Sequence, residues 1–239
     1  MNVEPVRGLP EIREGDDVAE LVVQRVELES DDVLVVAQKA VSKAEGRVFR
    51  LDDVVPSARA LALAGEDDPR RTEMILREAA EIVHVRPPLL IVQTRHDFIC
   101  ASAGVDASNA PEPGTLVLLP LDPDASAARI RERVRELTGR EVGVVVSDSF
   151  GRPFRMGTTD VAIGAAGIRV LEDLRGTKDR IGYELQSTQI ALADQLAGAA
   201  NLVMGKADGI PVAVVRGLDV AGDGNAGELV IPPERDLFR

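Results

Sequence analysis

Five short apolar runs rich in β-branched residues punctuate this chain: Val33 to Ala37, Leu89 to Gln93, Leu116 to Leu119, Val142 to Val146 and Val212 to Val215. Runs of this length, made of side chains that pack well on a pleated surface, predict buried strands. Stretches of helical period lie between them. Asp122 is placed to cap a helix that Pro123 opens, with Ala127, Ile130, Val134 and Leu137 along one face and Gly139 closing it. Pro69 to Val83 carries Ile75, Ala79 and Ile82 or Val83 on one face, and Thr188 to Val203 carries Ile190, Ala193, Ala197 and Ala200. At 239 residues the chain suits one long domain or two, and both remain open on length alone.

Composition removes several function classes. A chain that is 45% hydrophobic can bury a large core, which excludes disorder. The single cysteine, Cys100, permits no intrachain disulfide and fits a reducing compartment. No run of about 18 apolar residues occurs, and Met1 to Arg7 lacks a signal-peptide core, so a soluble, cytoplasmic protein with no membrane partner is expected. A net charge of −12 argues against nucleic acid. An acidic protein that handles anionic substrates must neutralise them locally, with a few placed Arg or Lys residues or with a divalent cation held by carboxylates.

Three segments interrupt the strand and helix rhythm and read as loops: 101–114, 147–160 and the Gly- and Asp-rich 219–228. The run VSDSFGRPFR (146–155) weighs most. It presents Asp148 and Ser149, hard oxygen donors suited to Mg²⁺ or Mn²⁺, where a strand runs out, and Arg152 and Arg155 follow as anion contacts. The competing reading is a turn whose Asp and Ser satisfy local backbone N–H groups. Asp106 and Asn109 offer two more oxygens from another loop, and their value depends on the two loops meeting. Lys43, shortly after a strand, is a solvated charge or a phosphate contact. LVMGKADG (202–209) lacks the first Gly of a Walker A loop and has Ala207 where Ser or Thr is required, and no G-x-G-x-x-G follows a strand. His84 and His96 are too few for a zinc cluster, no G-x-S-x-G elbow occurs, and Cys100 has no evident base partner. The residues support a metal-assisted anion or phosphate site built from several loops, without naming a substrate.

Taken in order, GLPEIREGDD (8–17), VLVVAQKAVSKAEGR (33–47), TRHDFICASAGVDASN (94–109), VSDSFGRPFR with TDVAIGAAG (159–167) and GIPVAVVRG (209–217) resemble the coenzyme F420-0:L-glutamate ligase family from about Gly8 to Arg216. The resemblance implies an α+β fold of two domains with mixed sheets, in an intertwined homodimer, with GTP and a divalent metal (Mg²⁺ or Mn²⁺) between the domains. It also leaves room for a monovalent cation. Nucleotide contacts are implied at Leu9, Pro10, Glu11, Ile12, Gln38, Lys43 and Asn109 and along Met204, Gly205 and Lys206. Metal ligands are implied at Asp106 and Asp148, with Ser149 at a second metal. The expected division sets residues 1–75 plus 180–239 as the nucleotide-binding domain and 76–179 as the metal and substrate domain, with the site between them.

Three positions depart from the family pattern. Ser149 replaces a usual Thr and keeps the hydroxyl. Thr158 replaces the Gln of a GQTD pattern. Lys206 replaces an acidic or amide residue, and an ammonium has no acceptor with which to ligate Mg²⁺, so Lys206 is expected to contact phosphate instead. The implied chemistry is attack of the F420-0 phospholactyl carboxylate on the γ-phosphoryl of GTP, then displacement of phosphate by the amine of L-glutamate, with further γ-linked additions allowed. Bringing two anions together makes charge neutralisation the main demand, which Asp106, Asp148, Arg152 and Arg155 would meet as catalytic residues with Lys43. Two competitors use the same residues: a metal-dependent phosphohydrolase and a nucleotide-binding regulatory protein.

Overall fold

The computed structural model describes residues 1–237. The chain runs β1 (Asn2–Pro5), α1 (Val18–Val23), β2 (Val33–Ala37), α2 (Gln38–Ala44), β3 (Val48–Arg50), α3 (Ala58–Leu63) and α4 (Pro69–Glu78). It continues through β4 (Ala79–Arg86), β5 (Leu89–Thr94), β6 (Ile99–Ala101), β7 (Thr115–Val117) and α5 (Pro123–Thr138). The last elements are β8 (Gly143–Gly151), β9 (Thr158–Ala166), β10 (Leu171–Asp173), β11 (Gln189–Ala191), α6 (Leu192–Met204) and β12 (Val212–Arg216).

Each of the five apolar runs contributes to a strand, and three of them explain the main sheet. Its order is β1-β12-β2-β8-β9, with β2 and β8 parallel and every other pair antiparallel. Successive strand residues face opposite sides. Leu34, Val36, Val144, Val146, Val212 and Val214 therefore pack on one face with Val18 and Val22 of α1 and Ala127, Ile130 and Val134 of α5. Val33, Val35, Val145, Ala213 and Val215 pack on the other with Ala193, Leu196, Ala197 and Ala200 of α6. A strand covered on both sides must be apolar at every position, which is why these runs show no alternation. At about 1.5–3 kcal/mol per fully buried Val or Leu, the helices of the two faces are held chiefly by this burial.

Helix α5 forms as its caps predict: the Asp122 side chain accepts from the Ala125 N–H, and Gly139 ends the helix at φ 70°. Leu137, expected on its apolar face, is exposed. Two other expected helices are shorter. Residues 69–83 split into α4, ending at Glu78, and β4, where Ile82 pairs with Val92 of β5. Residues 188–191 include β11, where Ile190 pairs with Glu172, and α6 begins only at Leu192. In both cases pairing with a distant strand overrides the helical spacing. The expected loop 147–160 contracts to 152–157, because β8 and β9 form a hairpin on either side of it.

A third apolar cluster joins Val54, Met74, Ile75, Leu90, Val92, Leu116 and Leu118, under α3, α4, the β4-β5-β6 sheet and the β3-β7 pair. Strands of the expected 76–179 segment fall in several sheets. β8 and β9 belong to the sheet of β1, β2 and β12, and the separate core is built from residues 54–118. The parallel β2–β8 pair joins segments far apart in sequence, so no local pattern announces it. The last two residues of the expected 180–239 segment lie outside the described residues. Among those described, no helix is long and apolar enough to cross a membrane.

Candidate functional site

The register of the main sheet gathers the site. Ala37, the last residue of β2, pairs with Ser147 midway along parallel β8, so Gln38 and Lys39 leave β2 beside Asp148. Ser149 pairs with Asp160 on antiparallel β9. Val212, where β12 begins, pairs with Val36, which brings Gly209, Ile210 and Pro211 to the same end. β1 leaves there too, its path continued by the hydrogen bond from the Val6 N–H to the Val212 carbonyl, and feeds Leu9 to Ile12. One end of the sheet thus presents residues from all five strands.

A cavity of about 570 Å³ opens at that end. Its walls include Leu9, Pro10, Glu11 and Ile12, Gln38, Lys39 and Lys43, Asn109, Asp148 and Ser149, Asp160, and Met204, Gly205 and Lys206. Residues expected to bind nucleotide and residues expected to bind metal therefore line one space. Asp106 is not on the wall; it reaches the site through Lys39, whose Nζ lies 2.5 Å from its Oδ2. Asn109, in the left-handed region at φ 53°, donates from Nδ2 to the Lys206 carbonyl at 3.1 Å and ties the Asp106 loop to the end of α6. Gly205 sits at φ 63°, and a Cβ there would fall 2.1 Å from Asp208 Oδ2, so the turn that delivers Lys206 requires glycine.

The arginines are elsewhere. Arg152 donates from Nε and Nη2 to the Gly157 and Met156 carbonyls at the tip of the β8–β9 hairpin, and Arg155 is exposed; neither lines the cavity. Lys39, Lys43 and Lys206 supply the positive charge at the wall instead. Lys43 pairs with Glu11 at 2.5 Å. Lys39 and Asp160 are the charged wall residues that motif reading missed. Both lie inside segments that read as significant, but only strand register distinguishes them from their neighbours.

Electrostatics separate the acidic groups. Burial raises the Asp148 carboxyl to about 7, against a hydrogen bond from the Ser149 N–H and the pull of Lys39 and Lys206, with Asp160 adding to the rise. Burial would also raise Asp106, but hydrogen bonds from Lys39 and Ser108 outweigh it and hold that carboxyl at about 2. Asp160 accepts from Ser149 Oγ at 2.7 Å and from Ser147 Oγ at 3.2 Å. Cys100 is an inert thiol, pushed up to about 12 by burial and by Asp148. Gln38 is buried; its Oε1 accepts from Ser42 Oγ at 2.8 Å, while its Nε2 has no partner. A buried donor left unpaired on a cavity wall suits an acceptor brought by a ligand.

Among the described residues no three His, Cys, Asp or Glu side chains form a preformed cage. The donor set still fits Mg²⁺ or Mn²⁺ completed by phosphate oxygens, the usual arrangement when one or two carboxylates meet a nucleotide. Asp148 is a desolvated carboxylate, and Ser149 with Asp160 forms a hydroxyl–carboxylate pair, all hard oxygens on one wall.

Comparison with known proteins agrees over the whole chain. A family model described as F420-0:gamma-glutamyl ligase matches residues 8–217. A coenzyme F420:L-glutamate ligase of Methanopyrus kandleri is 49% identical over 247 aligned positions, covering 100% of this chain and 98% of the relative. The proteins of that description from Archaeoglobus fulgidus and Haloarcula marismortui are 46% and 45% identical, each covering 100% of this chain and 96% of the relative. The chain belongs to the F420-0:gamma-glutamyl ligase family of amide-forming ligases.

Proposed function

We propose that this protein joins L-glutamate to F420-0 in a reaction driven by GTP and dependent on Mg²⁺ or Mn²⁺. The carboxylate of the phospholactyl arm attacks the γ-phosphorus, GDP leaves, and an acyl phosphate forms. The glutamate nitrogen then attacks the acyl carbon, phosphate leaves, and the amine loses a proton as the amide forms; the same sequence on a terminal γ-carboxylate adds further glutamates.

The observation that carries this reading is the meeting, in one cavity, of Asp148, Ser149 and Asp160 with Lys39, Lys43 and Lys206. A divalent cation held by the oxygen set would neutralise phosphate charge and align in-line attack. The lysines supply further positive charge without blocking ligation. Asp160 beside Ser149 offers a second cation the anionic oxygen that Lys206 cannot. The unpaired Gln38 amide and the Leu9 to Ile12 strip form the nucleotide side. The domain reading becomes a nucleotide-binding body built from the main sheet, with the residue 54–118 body contributing Asp106 and Asn109. An intertwined homodimer is part of the proposal, supported by Phe154 and Met156, 90% and 92% exposed at the β8–β9 tip, which an interface would cover.

Mass spectrometry of F420-0 incubated with protein, GTP, Mn²⁺ or Mg²⁺ and glutamate tests the activity. A mass gain of one or more glutamyl units, dependent on GTP and metal, is expected. GTP hydrolysis without that gain would identify a phosphohydrolase, and nucleotide binding without turnover a regulatory protein.

A further inference from the structure

The Lys39 ammonium has a complete shell. Its Nζ lies 2.5 Å from Asp106 Oδ2, 2.7 Å from the Ser108 carbonyl and 2.8 Å from Ser108 Oγ, three acceptors for three N–H donors. Asp106 is equally provided for: Oδ1 accepts the Ser108 N–H at 2.8 Å, and Oδ2 also accepts the Ser108 O–H at 2.7 Å. The two carboxylates expected to hold metal therefore stand in opposite states. Asp148 is half-buried on the cavity wall without a paired side-chain cation, whereas Asp106 already has one, delivered by α2 from the other body. A divalent cation on Asp106 with Lys39 still in place would set three positive charges around one carboxylate, a strong repulsion at such distances.

We infer that Lys39 is the resident counter-ion of Asp106, and that a divalent cation ligated by Asp106 displaces it into the cavity as a positioning charge for anionic substrates. The inference rests on the metal-dependent reading above and extends it to a residue outside the expected site. Lys39 already lines the cavity, and its flexible four-carbon stem keeps the released ammonium there. The metal-free protein thus keeps Asp106 neutralised and its loop docked on α2. Binding of the cation exchanges one counter-ion for another and frees a charge where phosphate is expected.

Amine acylation read by mass spectrometry tests this on the wild-type protein, with Mn²⁺ alone as the probe and its binding followed by electron paramagnetic resonance. The chain has four lysines, so each is resolved separately. Saturating Mn²⁺ should raise Lys39 labelling at least about threefold, the scale of releasing a partly exposed ion pair. Lys43, paired with Glu11, and exposed Lys178 should not change. In Asp106→Asn, Lys39 should label fast from the start and ignore Mn²⁺. Mn²⁺ binding to the wild type with unchanged Lys39 labelling would overturn the inference and leave the metal reading standing; no Mn²⁺ binding to the free protein would overturn the inference alone, and no Mn²⁺ binding even with a non-hydrolysable GTP analogue present would overturn both.

Discussion

Gln38→Met separates a ligand-binding role from a structural one, because the two predict opposite balances of stability and affinity. Gln38 is 1% exposed, and its Nε2 has no partner in the free protein, a state that costs about 1–3 kcal/mol. Methionine has similar volume and no donor, so the swap removes that cost. It also removes the 2.8 Å bond from Ser42 Oγ, a loss of about 0.5–1.5 kcal/mol that Ser42 can partly recover by bonding the carbonyl one helical turn back. These terms nearly cancel, and unfolding free energy should stay within about 1.5 kcal/mol of wild type. Nucleotide binding loses its donor with nothing in return, about 1–3 kcal/mol or roughly 5- to 150-fold depending on the charge of the acceptor. Urea denaturation followed by circular dichroism and calorimetric titration with a non-hydrolysable GTP analogue measure the two quantities. Unchanged affinity, or a destabilisation of about 3 kcal/mol with the affinity intact, would refute the assignment of Nε2 to the ligand.

Asp148→Asn should abolish ligation in the mass-spectrometric assay while the circular dichroism spectrum is retained, and Ser149→Ala should be milder because a neutral hydroxyl donates less to a cation than a carboxylate does. Lys206→Ala should raise the GTP requirement by about 1 kcal/mol, roughly fivefold, a value limited by the exposure of Lys206; superimposable GTP titrations would make it a surface charge. Glu73 is held at about 2, below its ordinary 4.5, by the Ser57 O–H and N–H and by Arg77. A depressed carboxyl stabilises the fold above pH 4.5 and loses that contribution as pH falls toward 2, so Glu73→Gln should flatten part of the acid limb of a stability–pH curve.

What could be read from the sequence was local. Helix α5 was legible because its signals, Asp122, Pro123, the buried stripe and Gly139, lie within one segment. The break between α4 and β4 was not, since Ala79 and Ile82 satisfy a helical period and only pairing with β5 assigns them to a strand. The same limit applies to the site. Asp148 and Ser149 announce themselves by following an apolar run, and the ordered motifs brought in Leu9 to Ile12, Gln38, Lys43, Asn109 and Met204 to Lys206. Asp160 becomes part of the site only because β9 pairs it with Ser149, and Lys39 only because β2 ends beside Asp148 in its parallel pairing with β8. Arg152 and Arg155 were expected from proximity in sequence to Asp148, but the hairpin carries them past the cavity to its tip.

The distribution of cations explains how so acidic a chain can bind anions. Three of its four lysines line the cavity at the end of the main sheet, although the net charge is −12. Arginine is used differently: Arg47, Arg70, Arg131, Arg133, Arg175 and Arg216 hold carboxylates with their planar forks, and those bonds fix loops and helices. A guanidinium so engaged cannot turn to a ligand without breaking several bonds, whereas an ammonium is a compact charge on a flexible stem that can exchange one oxygen partner for another. The lysines at the cavity have such partners in the free protein: Lys43 has Glu11 and Lys39 has Asp106, while the Lys206 backbone, rather than its ammonium, is fixed by Asn109. The division of labour between the two residue types leaves mobile positive charge where substrates of negative charge are expected and fixed positive charge where the fold needs it.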